Sequence, residues 1–434
     1  MRNGERGKMK KLLILGSDFA TYDLVIEAKK MGIYVIVSDL METSPSKRAA
    51  DEAWKISTTE LDVLEEKVKV NNINGILAGA SEFNLENVRA LCKRLDFPCY
   101  CGNDKAWGVA RNKGVFKKLC KNCGVPVATD YKLTDKLTDE ELDAVKFPVV
   151  VKPVDKSGNC GMTYCNNKEE LIEGYRYARS VSDNLDIVVE RRLHGPQFTA
   201  YYNLSNGEAK LSFYTSAHSE KGELENLYSL ETITSCHLKQ YLEEVDEGTR
   251  KVLKKAGCDE GIAWVEFIHD EDGIFYALEM GYRFAGTVVY PTHEKLSGFN
   301  TFKWMIECAL GIKHSLEDVP QEIPVYKECG VSYDLFTNKE GYIKEIKGLE
   351  KIESMSGVCI DMPKRVGDKV NYHANMGVVR IYAATLDELF ATIEKINDTL
   401  CINDENDDNM FINYRDLDSI RIEHKTGLKQ FDLI

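Results

Sequence analysis

Apolar runs alternate with helical stretches through the first hundred residues, and this alternation constrains the fold more than any other feature of the sequence. Strands are predicted at 11–16 (KLLILG), 34–39 (YVIVSD) and 74–83 (NGILAGASEF), with a helix at 21–32. Strands separated by helices of this length predict a parallel, doubly wound α/β sheet. Ligands of such sheets bind beyond the carboxyl ends of the strands, and Asp39 and Glu82 both lie there.

A dinucleotide is one ligand that such a sheet binds, because Asp39 lies roughly where an acidic residue holds the ribose. The fingerprint for this use also needs three glycines, for the turn, the approach of the pyrophosphate and the helix packing. Segment 16–23, GSDFATYD, has only Gly16. The sequence therefore argues against a nicotinamide-dependent oxidoreductase.

The chain has 434 residues, which predicts about three domains at roughly 150 residues each. A helical stretch at 104–123, broken near Gly108 and Gly114, follows the first sheet and places a boundary near residue 105. After residue 320 the chain restarts with strands, and 377–398 predicts a strand that leads into a helix. We therefore predict domains at 1–105, 106–320 and 321–434, the last a smaller α+β unit.

The middle part carries its own pattern of strands and helices. A helix is predicted at 168–181, and a hairpin at 197–215 that turns at Asn206 and Gly207. A second hairpin is predicted at 262–280. This mixture is typical of an α+β unit rather than a second doubly wound sheet.

Charge and cysteine content limit the partners and the compartment. The formal net charge of −14 argues against a nucleic-acid partner, because such binding depends on Lys and Arg neutralising phosphates. Thirteen cysteines without a secretory segment indicate reduced thiols. The first apolar run is about five residues, too short for a signal peptide or a membrane span. We expect a cytoplasmic protein that binds neither nucleic acid nor membrane.

The pair Cys120 and Cys123 has metal-ligand spacing, CKNC, but no second pair in register. Packing within a helix is the better interpretation of this pair.

The stretch FPVVVKPVDKSGNCGMTYC, 147–165, combines a buried strand with a lysine and a small-residue loop. Ser157, Gly158 and Gly161 can present backbone N–H groups to phosphate oxygens, while Lys152 supplies a positive charge. The loop joins two strands, so it is not a Walker loop, which opens a helix. The alternative is a lysine at a strand end beside an ordinary glycine turn.

The stretch WVEFIHDEDGIFYALEM carries two glutamates in a predicted hairpin. With a four-residue turn, Glu266 opposes Ala277 and Glu279 lies two positions further on the same face, roughly 7–8 Å away. Two carboxylates among apolar neighbours repel each other, and Mg²⁺ between them removes that problem. If the turn shifts by one residue, the two glutamates lie on opposite faces instead.

Arg283, in RFAG, follows this hairpin closely. Its planar, always charged guanidinium near a metal–phosphate site would hold a carboxylate or a transferring phosphoryl group. A surface salt bridge is the alternative.

In this order along the chain, these motifs resemble the ATP-grasp superfamily, in particular carboxylate-amine ligases related to biotin carboxylase, carbamoyl-phosphate synthetase and phosphoribosylglycinamide synthetase. The resemblance implies a Rossmann-like pre-ATP-grasp domain, a two-part ATP-grasp α+β core and a small C-terminal α+β domain. It implies ATP and Mg²⁺ as cofactors, and a small-molecule carboxylate and an amine as substrates. The carboxylate would be activated as an acyl phosphate and joined to the amine, with ADP and phosphate as products. It also implies a homodimer.

The resemblance also assigns roles to residues. Lys113 resembles the first nucleotide lysine, and Lys152 the second, which contacts the α and β phosphates. The other implied contacts are the mobile phosphate loop with Ser157, Gly158 and Gly161, the adenine hinge with Glu190 (by its side chain), Arg191 and Leu193, the ribose contact Gln197, the magnesium pair Glu266 and Glu279, and the catalytic Arg283, alongside Lys152.

One position departs from the family pattern. Where the family has a metal-binding asparagine two residues after the second glutamate, this chain has Gly281 in EMGYR. We interpret the change as a weakened or altered second magnesium site. It leaves an inactive nucleotide-binding regulatory protein as an alternative, and a bicarbonate-using carboxylase is another. The substrates themselves are not predicted, although Glu82, Asn84 and Arg380 are plausible contacts.

Overall fold

A computed structural model describes residues 9–156, 160–183, 185–220, 227–320, 323–326 and 328–428. The first part is a four-stranded parallel sheet in the order β3-β2-β1-β4, with helices against it. Its elements are β1 (Lys11–Leu15), α1 (Phe19–Lys30), β2 (Tyr34–Ser38), α2 (Pro45–Ala49), β3 (Glu52–Trp54), α3 (Leu61–Asn71), β4 (Gly75–Ala78) and α4 (Glu82–Leu95). The predicted parallel α/β sheet is therefore confirmed.

Two helices, α5 (Asp104–Arg111) and α6 (Lys113–Cys123), connect this sheet to the rest. The break between them lies at Asn112, not at a glycine, and Gly108 is inside α5. The Asn112 backbone is extended, and its side chain accepts a hydrogen bond from Val115 N at 2.9 Å, which caps α6. This cap places Lys113 in the first turn of α6.

A small unit follows, built on a four-stranded antiparallel sheet in the order β5-β8-β6-β7. Its own apolar core includes Val149, Val151, Leu171 and Ala178. The elements are β5 (Asp130–Tyr131), α7 (Asp139–Asp143), β6 (Val149–Pro153), β7 (Thr163–Cys165), α8 (Lys168–Val181) and β8 (Ile187–Arg191).

The next stretch forms most of a second, larger antiparallel sheet and the helices that cover it. Its elements are β9 (Gln197–Ser205), β10 (Glu208–His218), β11 (Leu230–Ile233), α9 (Leu238–Glu244), α10 (Asp246–Ala256), β12 (Gly261–His269), β13 (Phe275–Gly281), α11 (Tyr290–Ser297) and α12 (Thr301–Ala309), followed by a 3₁₀ turn at Leu316–Asp318.

The C-terminal stretch has an apolar core of its own, which includes Tyr333, Leu389 and Ile402. Its elements are β14 (Cys329–Phe336), β15 (Gly341–Tyr342), β16 (Glu345–Lys347), α13 (Leu349–Glu353), β17 (Val358–Asp361), β18 (Lys369–Val370), β19 (Asn375–Ala383), α14 (Leu386–Thr399), β20 (Cys401–Asn403) and α15 (Leu417–Leu428).

Three C-terminal strands do not form a separate sheet. The large sheet has eight strands in the order β13-β12-β9-β10-β11-β14-β19-β17, so β14, β19 and β17 continue it. β11 is the junction, paired on one side with β10 and on the other with β14. One hydrogen-bonded ladder therefore runs from the predicted magnesium hairpin into the C-terminal part.

A search of the described helices found none that combines the length and the apolar character needed to cross a membrane.

Candidate functional site

A cavity of about 440 Å³ lies between the four-stranded antiparallel sheet (β5-β8-β6-β7) and the large sheet. Lysines from α6 and β6 and glutamates from β8, β12 and β13 line it, together with the segment that follows β8. The predicted site residues that line this one cavity are Lys113, Lys152, Glu190, Arg191, Leu193, Gln197, Glu266 and Glu279. The fold therefore brings together residues that are up to 166 positions apart in the sequence (279 − 113).

The predicted phosphate loop is only partly described. Ser157 and Gly158 lie outside the described residues. Gly161 has a φ of +78°, and a Cβ there would lie 2.5 Å from Val181 Cγ2, so its backbone packs against α8. It is not among the residues that line the cavity.

Lys113 and Lys152 line the cavity, and the buried Lys117 shares a glutamate partner with Lys152. Lys113 Nζ lies 2.6 Å from Glu279 Oε2, and Lys117 and Lys152 both form ion pairs with Glu190. Burial lowers the pKa of Lys152 well below its usual value, and the charges of Lys117 and Lys113 lower it further. Burial likewise lowers the pKa of Lys117, to about 8. The positive charges of these crowded ammonium groups are only partly compensated by the neighbouring glutamates, which favours the binding of an anionic ligand.

Glu190 is engaged differently from the adenine contact that the family resemblance implied. Its carboxylate is almost fully buried between the ammonium groups of Lys117 and Lys152. The reason lies in the pairing of β6 with β8, where Glu190 faces Val150, two residues before Lys152. The side chain therefore positions the lysines, and the backbone beyond it remains beside the cavity.

Two of the predicted nucleotide contacts, Arg191 and Gln197, have well-defined partners. Arg191 NH2 lies 2.7 Å from Asp270 Oδ2, and its guanidinium stacks over the Tyr276 ring at 5.0 Å. Gln197 Nε2 donates to Glu266 Oε2 at 3.1 Å, so it contacts the acidic pair as well as the cavity. Apolar side chains of Met162, Ile268 and Leu278 complete the walls. Such a mixture of apolar walls and a few fixed polar groups is typical of a small-molecule site.

Glu266 and Glu279 lie directly opposite each other on β12 and β13, closer than the predicted diagonal arrangement. The prediction that Glu266 opposes Ala277 is wrong. A β-bulge shifts the register between Glu266 and Phe267, so Phe267 opposes Ala277 and Leu278 is the extra residue. The two carboxylates therefore share one face, as predicted, but as direct neighbours.

Their electrostatics differ although both are half-buried. Burial, reinforced by the Glu279 charge, raises the pKa of Glu266 to about 8. Burial acts on Glu279 too, but Lys113, Lys152 and Arg283 outweigh it and lower its pKa. A pair with one carboxylate ionised and one that resists ionisation fits a divalent cation, which would supply the missing positive charge.

The cation would need further ligands. Among the residues that the structure describes, no group of three or more His, Cys, Asp or Glu is arranged to hold a metal. Mg²⁺ commonly takes one or two carboxylates and completes its shell with phosphates and water. Glu266 and Glu279 therefore fit a metal held jointly by protein and nucleotide.

The structure explains why position 281 of this chain is a glycine. Gly281 pairs with Trp264 across β12 and β13, and a Cβ at position 281 would lie 2.2 Å from two atoms of the indole ring. The ring therefore fills the space that a side chain at position 281 would need.

Arg283 is not a surface ion pair. Its side chain is 15% exposed, its Nε and NH2 each lie 3.2 Å from Glu82 Oε1, and its guanidinium stacks over Trp264 at 5.0 Å. Glu82 begins α4 at the carboxyl edge of the parallel sheet, as predicted. The first sheet therefore holds Arg283 two residues after β13, although Arg283 is not among the residues that line the cavity.

The other suggested substrate contacts lie elsewhere. Asn84 covers Gly16 and accepts a hydrogen bond from Thr58 at 3.0 Å. Arg380 is buried, ion-paired with Asp361, and 3.8 Å from Asp23. Neither lines the cavity.

Sequence reasoning missed Lys117 and Trp264. A signal for Lys117 was present, because it follows Lys113 by one helical turn and shares its face. Trp264 gave no local signal, since its role depends on the strand opposite.

Comparisons with known proteins agree with this geometry. Residues 145–290 match the ATP-grasp domain. The formate-dependent phosphoribosylglycinamide formyltransferases of two Prochlorococcus marinus strains are similar to this chain. One is 26% identical over 168 residues, covering 38% of this chain and 42% of the relative. The other is 22% identical over 386 residues, covering 87% and 94%.

Two solved structures share the fold. An L-amino acid ligase from Bacillus licheniformis superposes with a TM-score of 0.74 at 19% identity, covering 92% of this chain and all of that one. The biotin carboxylase domain dimer of Hydrogenobacter thermophilus 2-oxoglutarate carboxylase, solved with MgADP and bicarbonate, has a TM-score of 0.74 at 20% identity, covering 92% of each chain.

Proposed function

Because this chain belongs to the ATP-grasp superfamily of carboxylate-amine ligases, we propose that it uses Mg²⁺-ATP to join a small-molecule carboxylate to an amine, releasing ADP and phosphate. The observation that carries the proposal is that lysines and a glutamate pair line one cavity. Lys113 and Lys152 line it together with Glu266 and Glu279, and the buried Lys117 shares Glu190 with Lys152. Mg²⁺-nucleotide needs both kinds of side chain, because its phosphates are anionic and its metal prefers carboxylate oxygens.

The nucleotide would lie with its base against the apolar walls and its phosphates against the lysines. Leu193 and the neighbouring backbone offer hydrogen-bond groups for the base, and Met162, Ile268 and Leu278 offer apolar contact. Lys152 and Lys113 would meet the phosphates. The ion pairs that both lysines form with glutamates keep them in place before the nucleotide arrives.

The metal, when bound, would neutralise part of the charge on the transferring phosphoryl group. Glu266 and Glu279 would hold it, and Gln197, bonded to Glu266, would orient that carboxylate.

In the first chemical step an oxygen of the substrate carboxylate attacks the γ-phosphorus of ATP. The bond from that phosphorus to the ADP oxygen breaks, and an acyl phosphate forms. Arg283 would stabilise the negative charge on the transferring group, because its guanidinium is fixed by Glu82 on one side and Trp264 on its face. Little proton transfer is required, so positioning and charge supply most of the catalysis.

In the second step the amine nitrogen attacks the acyl carbon. The carbon–oxygen bond to phosphate breaks, the amine loses a proton, and an amide and inorganic phosphate remain. Specificity for the two substrates lies in the part of the site beyond Arg283.

The test is trapping of the acyl phosphate. The protein is incubated with Mg²⁺-ATP, pooled small carboxylates and hydroxylamine, and hydroxamate and ADP are measured together. We expect both products to appear in equal amounts and only when a carboxylate is present. ADP release that does not depend on any carboxylate, or nucleotide binding without ADP release, would contradict the ligase.

Glu279→Gln is the matched variant, because it removes one charge from the glutamate pair. We expect hydroxamate formation to fall by at least about 100-fold. Glu65→Gln is the control, since Glu65 pairs with Lys69 at 2.6 Å on an exposed helix face far from the cavity, and it should leave the rate unchanged.

A further inference from the structure

Glu231 is a completely buried carboxylate whose hydrogen bonds are incomplete. It lies on β11 and is 1% exposed. Its Oε1 accepts from the Tyr201 hydroxyl at 2.6 Å and from the Thr215 hydroxyl at 2.7 Å. A hydrogen bond from the Thr287 hydroxyl also lowers the pKa of the carboxyl, although Oε2 has no partner at full hydrogen-bond geometry within the described part of the chain.

No cation compensates this carboxylate. Within the described ranges, no Lys, Arg or His forms an ion pair with Glu231, and burial raises its pKa without an opposing positive charge. Asp334, a second buried acid, adds to the negative charge, and the pKa of each is raised. Arg380 lowers the pKa of Asp334, but it is itself ion-paired with Asp361. A buried carboxylate that has only neutral hydroxyl partners and no cation beside it is costly unless a ligand completes it.

Glu231 borders the catalytic cavity. It pairs directly across the sheet with Ala217, which lines that cavity, so their Cβ atoms are roughly 5 Å apart on the same face. Its charge also raises the pKa of Glu266 and of Tyr228, another cavity residue. The carboxylate therefore lies within electrostatic reach of the metal pair.

The loop that carries Arg283 ends next to Glu231. Thr287 follows Arg283 by four residues and contacts both Tyr201, at 3.5 Å, and the Glu231 carboxylate. Gly286 is exposed and Thr287 is half-buried, so this loop borders solvent. The loop that follows Arg283 therefore contributes a hydroxyl to the surroundings of Glu231.

We propose that Glu231 receives the ammonium group of the carboxylate substrate, so that the substrate is an amino acid rather than a plain carboxylic acid. This inference rests on the proposed ligase function, because it assumes that the substrate carboxylate lies at Arg283. An ammonium group would donate a hydrogen bond to Oε2. It would also bring a positive charge next to the buried acids. A hydroxyl group in the same place would donate a hydrogen bond but would bring no positive charge.

The structural alternative is that Glu231 only anchors Tyr201, Thr215 and Thr287. Thr215→Val separates the two roles, because it removes one hydrogen bond to Oε1 and leaves the charge. An anchoring role predicts that Glu231→Gln and Thr215→Val act alike on the substrate preference. An ammonium site predicts that only Glu231→Gln changes it.

The experiment compares amino acids with their hydroxy acids in the presence of Mg²⁺-ADP. The probes are alanine and lactate, leucine and 2-hydroxyisocaproate, phenylalanine and phenyllactate, and glutamate and 2-hydroxyglutarate. Binding is measured by calorimetry on the full chain, and hydroxamate formation is measured separately with Mg²⁺-ATP. We expect at least one amino acid to bind at least about 30-fold more tightly than its hydroxy acid, and Glu231→Gln to remove that preference while Thr215→Val keeps it.

The two readouts separate this inference from the ligase itself. Equal binding of amino and hydroxy acids by the wild type, or no binding of either, overturns the ammonium site. Hydroxamate formed equally well from both classes overturns it and leaves the ligase intact. An amino-acid preference in binding without any hydroxamate supports the ammonium site and contradicts the ligase. The comparison on the wild type stands even if Glu231→Gln does not fold.

Discussion

The indole ring of Trp264 occupies the space that any side chain at position 281 would need, with two ring atoms 2.2 Å from an ideal Cβ. We therefore expect Gly281→Ala to destabilise the fold by about 1–3 kcal/mol, because the ring must shift within a packed sheet face. Gly286→Ala is the control, since nothing lies within 4 Å of a Cβ there. Urea unfolding measures both, and equal midpoints for the two variants would contradict the steric explanation.

Adding Trp264→Ala to Gly281→Ala tests the same relationship in a second way. The truncated ring no longer meets the new methyl group, so the double variant should lose less stability than the sum of the single variants. Additive losses would show that the two positions are independent.

Glu266 should make the metal-free protein less stable as the pH rises. Its folded pKa of about 8 lies above the unfolded value, so the folded state binds the extra proton between these values. The resulting stabilisation is complete below the unfolded pKa and is lost as the pH rises through about 8. The unfolding free energy of the wild type should therefore fall between pH 6 and 8. In Glu266→Gln this fall should be smaller than in the wild type, by up to about 1.4 kcal/mol per pH unit.

Urea unfolding at pH 6, 7 and 8 with a chelator provides this comparison. Added Mg²⁺ should restore stability most at pH 8, because the metal competes with the proton for the same carboxylate. Identical pH profiles for the wild type and Glu266→Gln would refute the raised pKa.

Lys117, which the sequence did not reveal, should matter for ATP binding. Lys117→Met leaves Glu190 with only Lys152, and the altered pair should hold the phosphates less well. We expect KM for ATP to rise by about tenfold or more and stability to fall by about 3 kcal/mol. Lys121→Met, one turn later on α6 in a partly exposed pair with Asp130, is the control. Unchanged ATP kinetics in Lys117→Met would exclude a role at the phosphates.

Glu82 should act through Arg283. Glu82→Gln weakens the two contacts that fix the guanidinium, so we expect kcat to fall by about tenfold while KM for ATP stays within about twofold. Glu86→Gln, on the same helix but paired with Arg89 and Arg111, should have no such effect. A rise in KM for ATP without a fall in kcat would assign Glu82 to nucleotide binding instead.

Local signals predicted much of the fold: the α/β fold class is confirmed, and residues 145–290 match the ATP-grasp domain. The helix at 168–181 has the predicted bounds, because Asn167 caps its start. The hairpin turns at Asn206 and Gly207, both with positive φ as the two-residue turn requires. The match to the ATP-grasp domain agrees with the predicted ligase class, while the activity, the substrates and the roles of single site residues stay proposals.

Features that depend on long-range pairing escaped prediction. The bulge at Leu278 changed which residue opposes Glu266, and nothing local marks it. The exclusion of a side chain at position 281 comes from Trp264, and the burial of Glu231 comes from strands on both sides of it. Sequence patterns give periodicity along the chain, but register and neighbours across a sheet are set by the tertiary fold.

The junction at β11 makes the C-terminal part inseparable from the catalytic sheet. A fragment that ended near residue 326 would leave the backbone N–H and C=O groups of Leu230–Ile233 without their partners on β14. An unpaired edge of this kind is a template for association with other chains. Such a truncated protein would aggregate rather than persist as a smaller enzyme, an outcome that light scattering would detect. Fusions and domain exchanges in this protein therefore have to keep the whole eight-stranded sheet within one gene product.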